Sequence, residues 1–158
     1  MRVTIAITVC TLVVLMAASV LNAQSVYVPG KAKPEQVVKA RKFAMRALNS
    51  NLRDIRFKLK RGDSDGMLTP ALNLSAIARF LPYAFVEKHE AAYPLKGSNK
   101  YFKGGAPEEI QAGAEYLNVQ AAKLLNMATS KNMKALDQQN NRIKRACVSC
   151  HSQFRGEF

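Results

Sequence analysis

Residues 132–154 read NMKALDQQNNRIKRACVSCHSQF. Leu136, Asn140, Ile143, Cys147, Cys150 and Phe154 recur at steps of three and four, which brings them to one face of an α-helix. A stripe of that kind on a polar helix needs partner helices to bury it. The same rhythm occurs three times upstream. From Pro34, a good first helical position with Glu35 in the first turn, the stripe reads Val38, Arg41, Met45, Leu48, Leu52, Ile55 and Leu59. Gly62 and the Asp-Ser-Asp-Gly run at 63–66 end it. A second helix is expected with Thr69 as N-cap, Pro70 behind it, and Leu74, Ile77 and Leu81 inward. Pro82 should break or kink it among Phe80, Tyr83 and Phe85, three aromatics expected in the core. The third begins at Pro107, with Glu108 and Glu109 against the amino-terminal dipole and Ile110, Ala114, Leu117, Ala121, Leu124 and Ala128 inward. No stretch shows strand alternation. Four helices on mostly short connections, with a longer loop over 90–106, predict an all-α, antiparallel up-down-up-down four-helix bundle.

The composition fits a packed domain and excludes several other classes. Of 158 residues, 48% are apolar, too many for a disordered tail. Three cysteines are too few for a disulfide-stapled miniprotein, and no repeat suggests a solenoid. Arg2, an apolar run over 3–21 and then Asn22-Ala23-Gln24 form the layout of an export signal. Cleavage is expected after Ala23, which makes 1–23 a signal peptide and 24–158 the working domain. An uncleaved membrane anchor is the competing reading, because the run nearly spans a bilayer. Cys10 leaves with the signal, and Cys147 and Cys150 remain in an oxidising compartment, the periplasm. Loss of Arg2 lowers the net charge from +13 to +12.

Cys147-Val148-Ser149-Cys150-His151 is a C-x-x-C-H sequence, the attachment signature of a c-type haem. On a helix the two cysteines lie one turn apart on one face, and His151 follows at once. Two thiols can add to two vinyl groups while the imidazole reaches the iron. A thioredoxin-type redox pair would need a βαβ setting, which is absent. A closed zinc site would need four ligands, and His89 is the only other His or Cys after residue 23. A disulfide across one helical turn would be strained.

A haem motif near the carboxyl end of a basic, exported, four-helix chain resembles the class II c-type cytochromes, cytochrome c′ and its low-spin relatives. The resemblance covers nearly all of 24–158. Residues 145–155, RACVSCHSQFR, look like that family's terminal helix. Lys33-Pro34-Glu35-Gln36 and Arg41-Lys42-Phe43-Ala44-Met45 look like its first helix, and Leu81-Pro82-Tyr83-Ala84-Phe85 is similar to the close of its second. Family members often carry a Trp at the start of the third helix, where this chain has Ile110-Gln111.

Bundle topology then bears on the face of the iron opposite His151. Met67 and Met127 fall at the far end, and Met133 shares a helix with the motif, which leaves Met45 inward and at the haem end. The resemblance points to the same position: the distal residue stands four after the first-helix Arg. Met45 has two readings, a flexible thioether filling the core and a sixth ligand that raises the reduction potential. Ligation is the expectation. Arg41, a charge on an apolar seam, needs an anion or a path to water. The haem propionates would supply the anion, and snorkelling to solvent is the alternative. Arg155 lies one turn past His151, where the family often has a basic residue near the proximal face; a solvated charge that favours the helix dipole fits equally well. His89, in a charged Glu87-Lys88-His89-Glu90 stretch, reads as a surface histidine, with bis-histidine ligation as its alternative.

Three functions are compatible with these residues. One is an electron carrier with His151 and Met45 on the iron. Another is a five-coordinate cytochrome c′ whose open distal face beside Met45 takes nitric oxide or carbon monoxide. The third is a haem-free basic helical module on anionic surfaces. The expectation is the first: a periplasmic electron-transfer protein with one covalent haem c, and no sign of catalysis. Its charge suits an acidic redox partner or an anionic membrane surface, and the export signal argues against nucleic acid. The resemblance also allows a homodimer through the first two helices.

Overall fold

The computed structural model describes residues 32–157, and the expected signal segment 1–23 with its cleavage site lies outside them. Four helices form: α1 (Pro34–Arg61), α2 (Leu68–Ala84), α3 (Pro107–Thr129) and α4 (Met133–Phe154). Each start and stop has a local cause. Pro34 and Pro107 occupy the first turns of α1 and α3, and Gln36 and Glu109 reach back to accept from the Lys33 and Ala106 N–H groups at 3.0 and 3.4 Å. Asn132 caps α4 by accepting from the Ala135 N–H at 3.0 Å. Gly62, at φ 68°, closes α1 in the left-handed conformation that glycine adopts without strain.

The helices alternate in direction. The Arg41 side chain, near the start of α1, meets the end of α2, and Gln139 of α4 bonds Gln120 of α3. An up-down-up-down four-helix bundle results. Its core contains Leu48 and Ile55 of α1, Leu74 and Leu81 of α2, Leu117 and Leu124 of α3, and Leu136 and Ile143 of α4. The α3 stripe is buried as expected, with Gln120 added to it, whereas on α1 Val38, Arg41, Leu48 and Ile55 are buried together with the unassigned Ala44, and Met45, Leu52 and Leu59 only in part. Among the described residues no helix is long and apolar enough to cross a membrane.

The structure corrects four readings. α2 begins at Leu68 rather than behind a Thr69 cap, because a 3₁₀ turn over Asp65–Met67 feeds into it and seats Met67 fully in the core. Pro82 does not end α2; it sits near the carboxyl end and the helix runs on to Ala84. Phe80 and Tyr83 are 44% and 76% exposed rather than in the core, since Ala71, Leu74, Ala78 and Leu81 take the inward positions. Strands also exist: β1 (Lys100–Phe102) pairs antiparallel with β2 (Arg155–Glu157), with Tyr101 opposite Gly156.

This two-stranded clasp ties the end of the chain to the α2–α3 connection. Phe102 stacks between Tyr93 and Phe154, with centroids 6.2 and 6.4 Å away, and Lys100 pairs with Glu157. A Cβ at Gly156 would collide with the Tyr101 ring, so Gly156→Val should open the clasp. Faster amide exchange at Tyr101 and Phe102, with core helix amides unchanged, is the expected result. Lys100 lowers the Glu157 pKa by hydrogen bond and charge. The stability this pair contributes is therefore present above the ordinary Glu value and lost as pH falls through the depressed one.

Candidate haem site

At the end of the bundle where α1 and α3 begin and α4 finishes, the helices stand apart around a cavity of about 600 Å³. That lies within the range of small-molecule and cofactor pockets. α1 contributes Val38, Arg41, Met45, Leu48 and Leu52, α2 contributes Leu81, and α3 contributes Ile110, Gly113, Ala114 and Leu117. Cys147, Cys150, His151 and Phe154 form the α4 wall. The α2–α3 connection adds Tyr93, Leu95, Tyr101 and Phe102, which the sequence reading did not assign. Their aromatic clustering in an otherwise polar loop was the available signal.

The chemistry-bearing residues are half-buried on one face of α4, as their spacing requires. Both cysteines are free thiols. Burial raises the pKa of each, and the Cys150 charge adds to the effect on Cys147. Burial lowers the His151 pKa, and the Arg155 guanidinium lowers it further. At neutral pH the site thus presents two protonated thiols and a neutral imidazole. Those are the forms that can add across vinyl groups and offer a nitrogen lone pair to a metal. On α3, Gly113 faces this wall, and a Cβ there would stand in ordinary contact with the Cys150 Sγ, at 3.8 Å. Among the described residues no three His, Cys, Asp or Glu side chains gather as a metal cage. Two thiols and one imidazole on one cavity wall are the donors that a haem held by two thioethers and one axial nitrogen would use.

Arg41 is 2% exposed, so it does not snorkel. Its Nε donates to the Ala84 carbonyl at 2.7 Å, one Nη to Lys88 O at 2.8 Å and the other to Glu87 O. The Phe85 ring lies 4.7 Å from the guanidinium carbon. The charge expected to meet a carboxylate is thus met first by the last carbonyl of α2 and by two carbonyls just past it. Three of its five N–H groups are used this way, and it still lines the cavity. Met45, one turn along α1 from Arg41, is half-buried on the cavity wall.

Arg155 does not extend α4. It starts β2, 3.2 Å from Glu157, while also lining the cavity. His89 adopts φ 54° and is mostly buried rather than superficial, with its side chain 15% exposed. It turns to Glu87 at 3.4 Å and does not line the cavity. The lining charges are all positive: Arg41, Lys42, Arg46, Lys100, Lys144 and Arg155.

The comparisons with known proteins fit this geometry. The family model described as cytochrome c′ matches residues 36–155. Three solved structures share the fold at TM-scores of 0.52 to 0.58 and identities of 17 to 19%. One is a cytochrome c′ from Thermochromatium tepidum (17%, covering 81% of this chain and all of that one). A second is a cytochrome c′ at 18% identity, with 79% of this chain and 98% of that one covered. The third is described as a cytochrome c′ with an unusual ligand-controlled dimer dissociation (19%, covering 81% of this chain and all of that one). Among curated proteins none matches. With most of its length under the family model and a thiol–thiol–imidazole wall on α4, the chain belongs to the cytochrome c′ family of monohaem c-type cytochromes, which bind haem c covalently.

Proposed function

We propose that this protein holds its haem through Cys147, Cys150 and His151 and leaves the face beside Met45 open to a diatomic ligand, nitric oxide or carbon monoxide. The observation that carries this is the asymmetry of the cavity. The thiols and imidazole lie on α4, while Val38, Met45, Leu48 and Leu52 of α1 and Leu81 of α2 supply apolar side chains beside the charged Arg41, Lys42 and Arg46. Membership of the cytochrome c′ family supports the same choice, and moves the reading away from the electron carrier expected from the sequence. Haem c supplies a one-electron iron centre. The chain would orient it and supply the neutral His151 nitrogen. Arg41 and the basic rim suit the two carboxylates of the group.

A second reading has Met45 as sixth ligand in an electron carrier, and it is favoured by the placement of the thioether on the cavity wall. Absorption spectra of the ferric and ferrous protein, before and after carbon monoxide, separate the two. An open site gives a high-spin spectrum that shifts at once with carbon monoxide and changes little in Met45→Ala. A ligated site gives a low-spin spectrum with a far-red band lost in that variant. Residues 1–23 support a periplasmic location. The exposed Leu72, Phe80 and Tyr83 of α2 support a second copy of the chain as partner.

A further inference from the structure

A second hollow, of about 390 Å³, lies on the outer side of α1 near its amino-terminal end. Lys39, Lys42 and Arg46 of α1 and Lys96 of the α2–α3 connection surround it, with the Phe43 ring in its wall. Phe43 is 73% exposed. The one acid there, Glu35, is held by Lys39 at 2.8 Å. Scattered exposed apolar side chains are ordinary. An aromatic inside a hollow ringed by cations has the anatomy of a short-lived recognition surface, with an apolar centre and a charged rim. Lys42, Arg46 and Leu95 also line the haem cavity, so the hollow adjoins the cavity along α1.

We propose that this hollow docks an acidic redox protein, with Phe43 at the centre of the contact, and that one electron passes there between partner and haem. In the forward direction the partner loses one electron and ferric iron becomes ferrous, with no bond made or broken. The inference rests on the haem reading above and serves either state of Met45, because carbon monoxide binds ferrous iron. The charge of the rim selects an acidic partner. A lipid surface would ask for a continuous apolar strip, but the next exposed aromatic on α1, Phe57, is about four turns away and lies under Arg61, 4.0 Å from its ring.

Lys96→Glu and Phe43→Ser test the proposal, since neither residue lines the cavity. The absorption spectrum of each variant should match that of the unmodified protein. Reduction by flavodoxin, an acidic flavoprotein, should slow about tenfold in Lys96→Glu at low salt and lose much of its salt dependence. It should slow several-fold in Phe43→Ser at every salt concentration. Reduced lumiflavin, a small uncharged flavin, should react equally with all three proteins. Unchanged flavodoxin rates in both variants would overturn the proposal. So would unchanged rates together with lost binding to phosphatidylglycerol vesicles, which would assign the hollow to a membrane. An unmodified protein without a haem spectrum would instead sink the reading of the cavity. Binding of flavodoxin to the immobilised chain and its two variants would then decide the hollow separately.

Discussion

Serine at both Cys147 and Cys150 removes all haem that survives denaturation. The unmodified protein should stain for haem on a denaturing gel and the double variant should not, because only a covalent link outlasts unfolding. Each single variant retains one thioether and should stain. The two thiols share one face of α4 and flank the same cavity, so they address one group. Haem staining in the double variant would mean the attachment lies elsewhere. His151→Ala should stain but bind its iron differently, with an altered ferric spectrum. The pKa directions agree with this division of labour: burial keeps both thiols protonated and the imidazole neutral at neutral pH.

Arg41→Leu should cost about 3 kcal/mol of stability, read as a lower midpoint in guanidinium unfolding. The substitution strands the carbonyls of Ala84, Glu87 and Lys88, which now accept from one buried guanidinium, and removes its contact with Phe85. Lysine at the same position should recover only part of the loss, because a single ammonium cannot serve three carbonyls in a fixed fork. A change below about 0.5 kcal/mol, the range of unremarkable surface substitutions, would show that these bonds are replaced by water at little cost.

The stripes and end signals of the helices were legible because they are local. Pro34, Gly62 and Pro107 sit where the chain begins or ends a helix, and the α3 stripe from Ile110 to Ala128 is buried in full. The motif was legible for the same reason, since its geometry needs only one helical turn. What escaped depends on distant parts of the chain. β1 and β2 are three residues each and meet across more than fifty residues, so neither shows alternation by itself. Arg41 was visible as a charge on a seam, but the carbonyls that hold it lie beyond Leu81. α2 is apolar on most of its circumference, so composition could not say which aromatics face inward, and Phe80 and Tyr83 face out. His89 was placed by a charged neighbourhood, while its left-handed backbone turns the ring toward Glu87.

The two ends of the bundle are unequal, and this bears on where the protein opens first. Ile55, Met67, Leu74, Leu124 and Leu136 close the end away from the motif with no exposed surface, whereas the motif end devotes its interior to the cavity. Local opening costs least where the fewest apolar contacts must break. Opening is therefore expected first around the thiols, between α1 and α4, while the closed half keeps its order. A group held by both thiols would supply apolar contacts at the end whose interior is now the cavity.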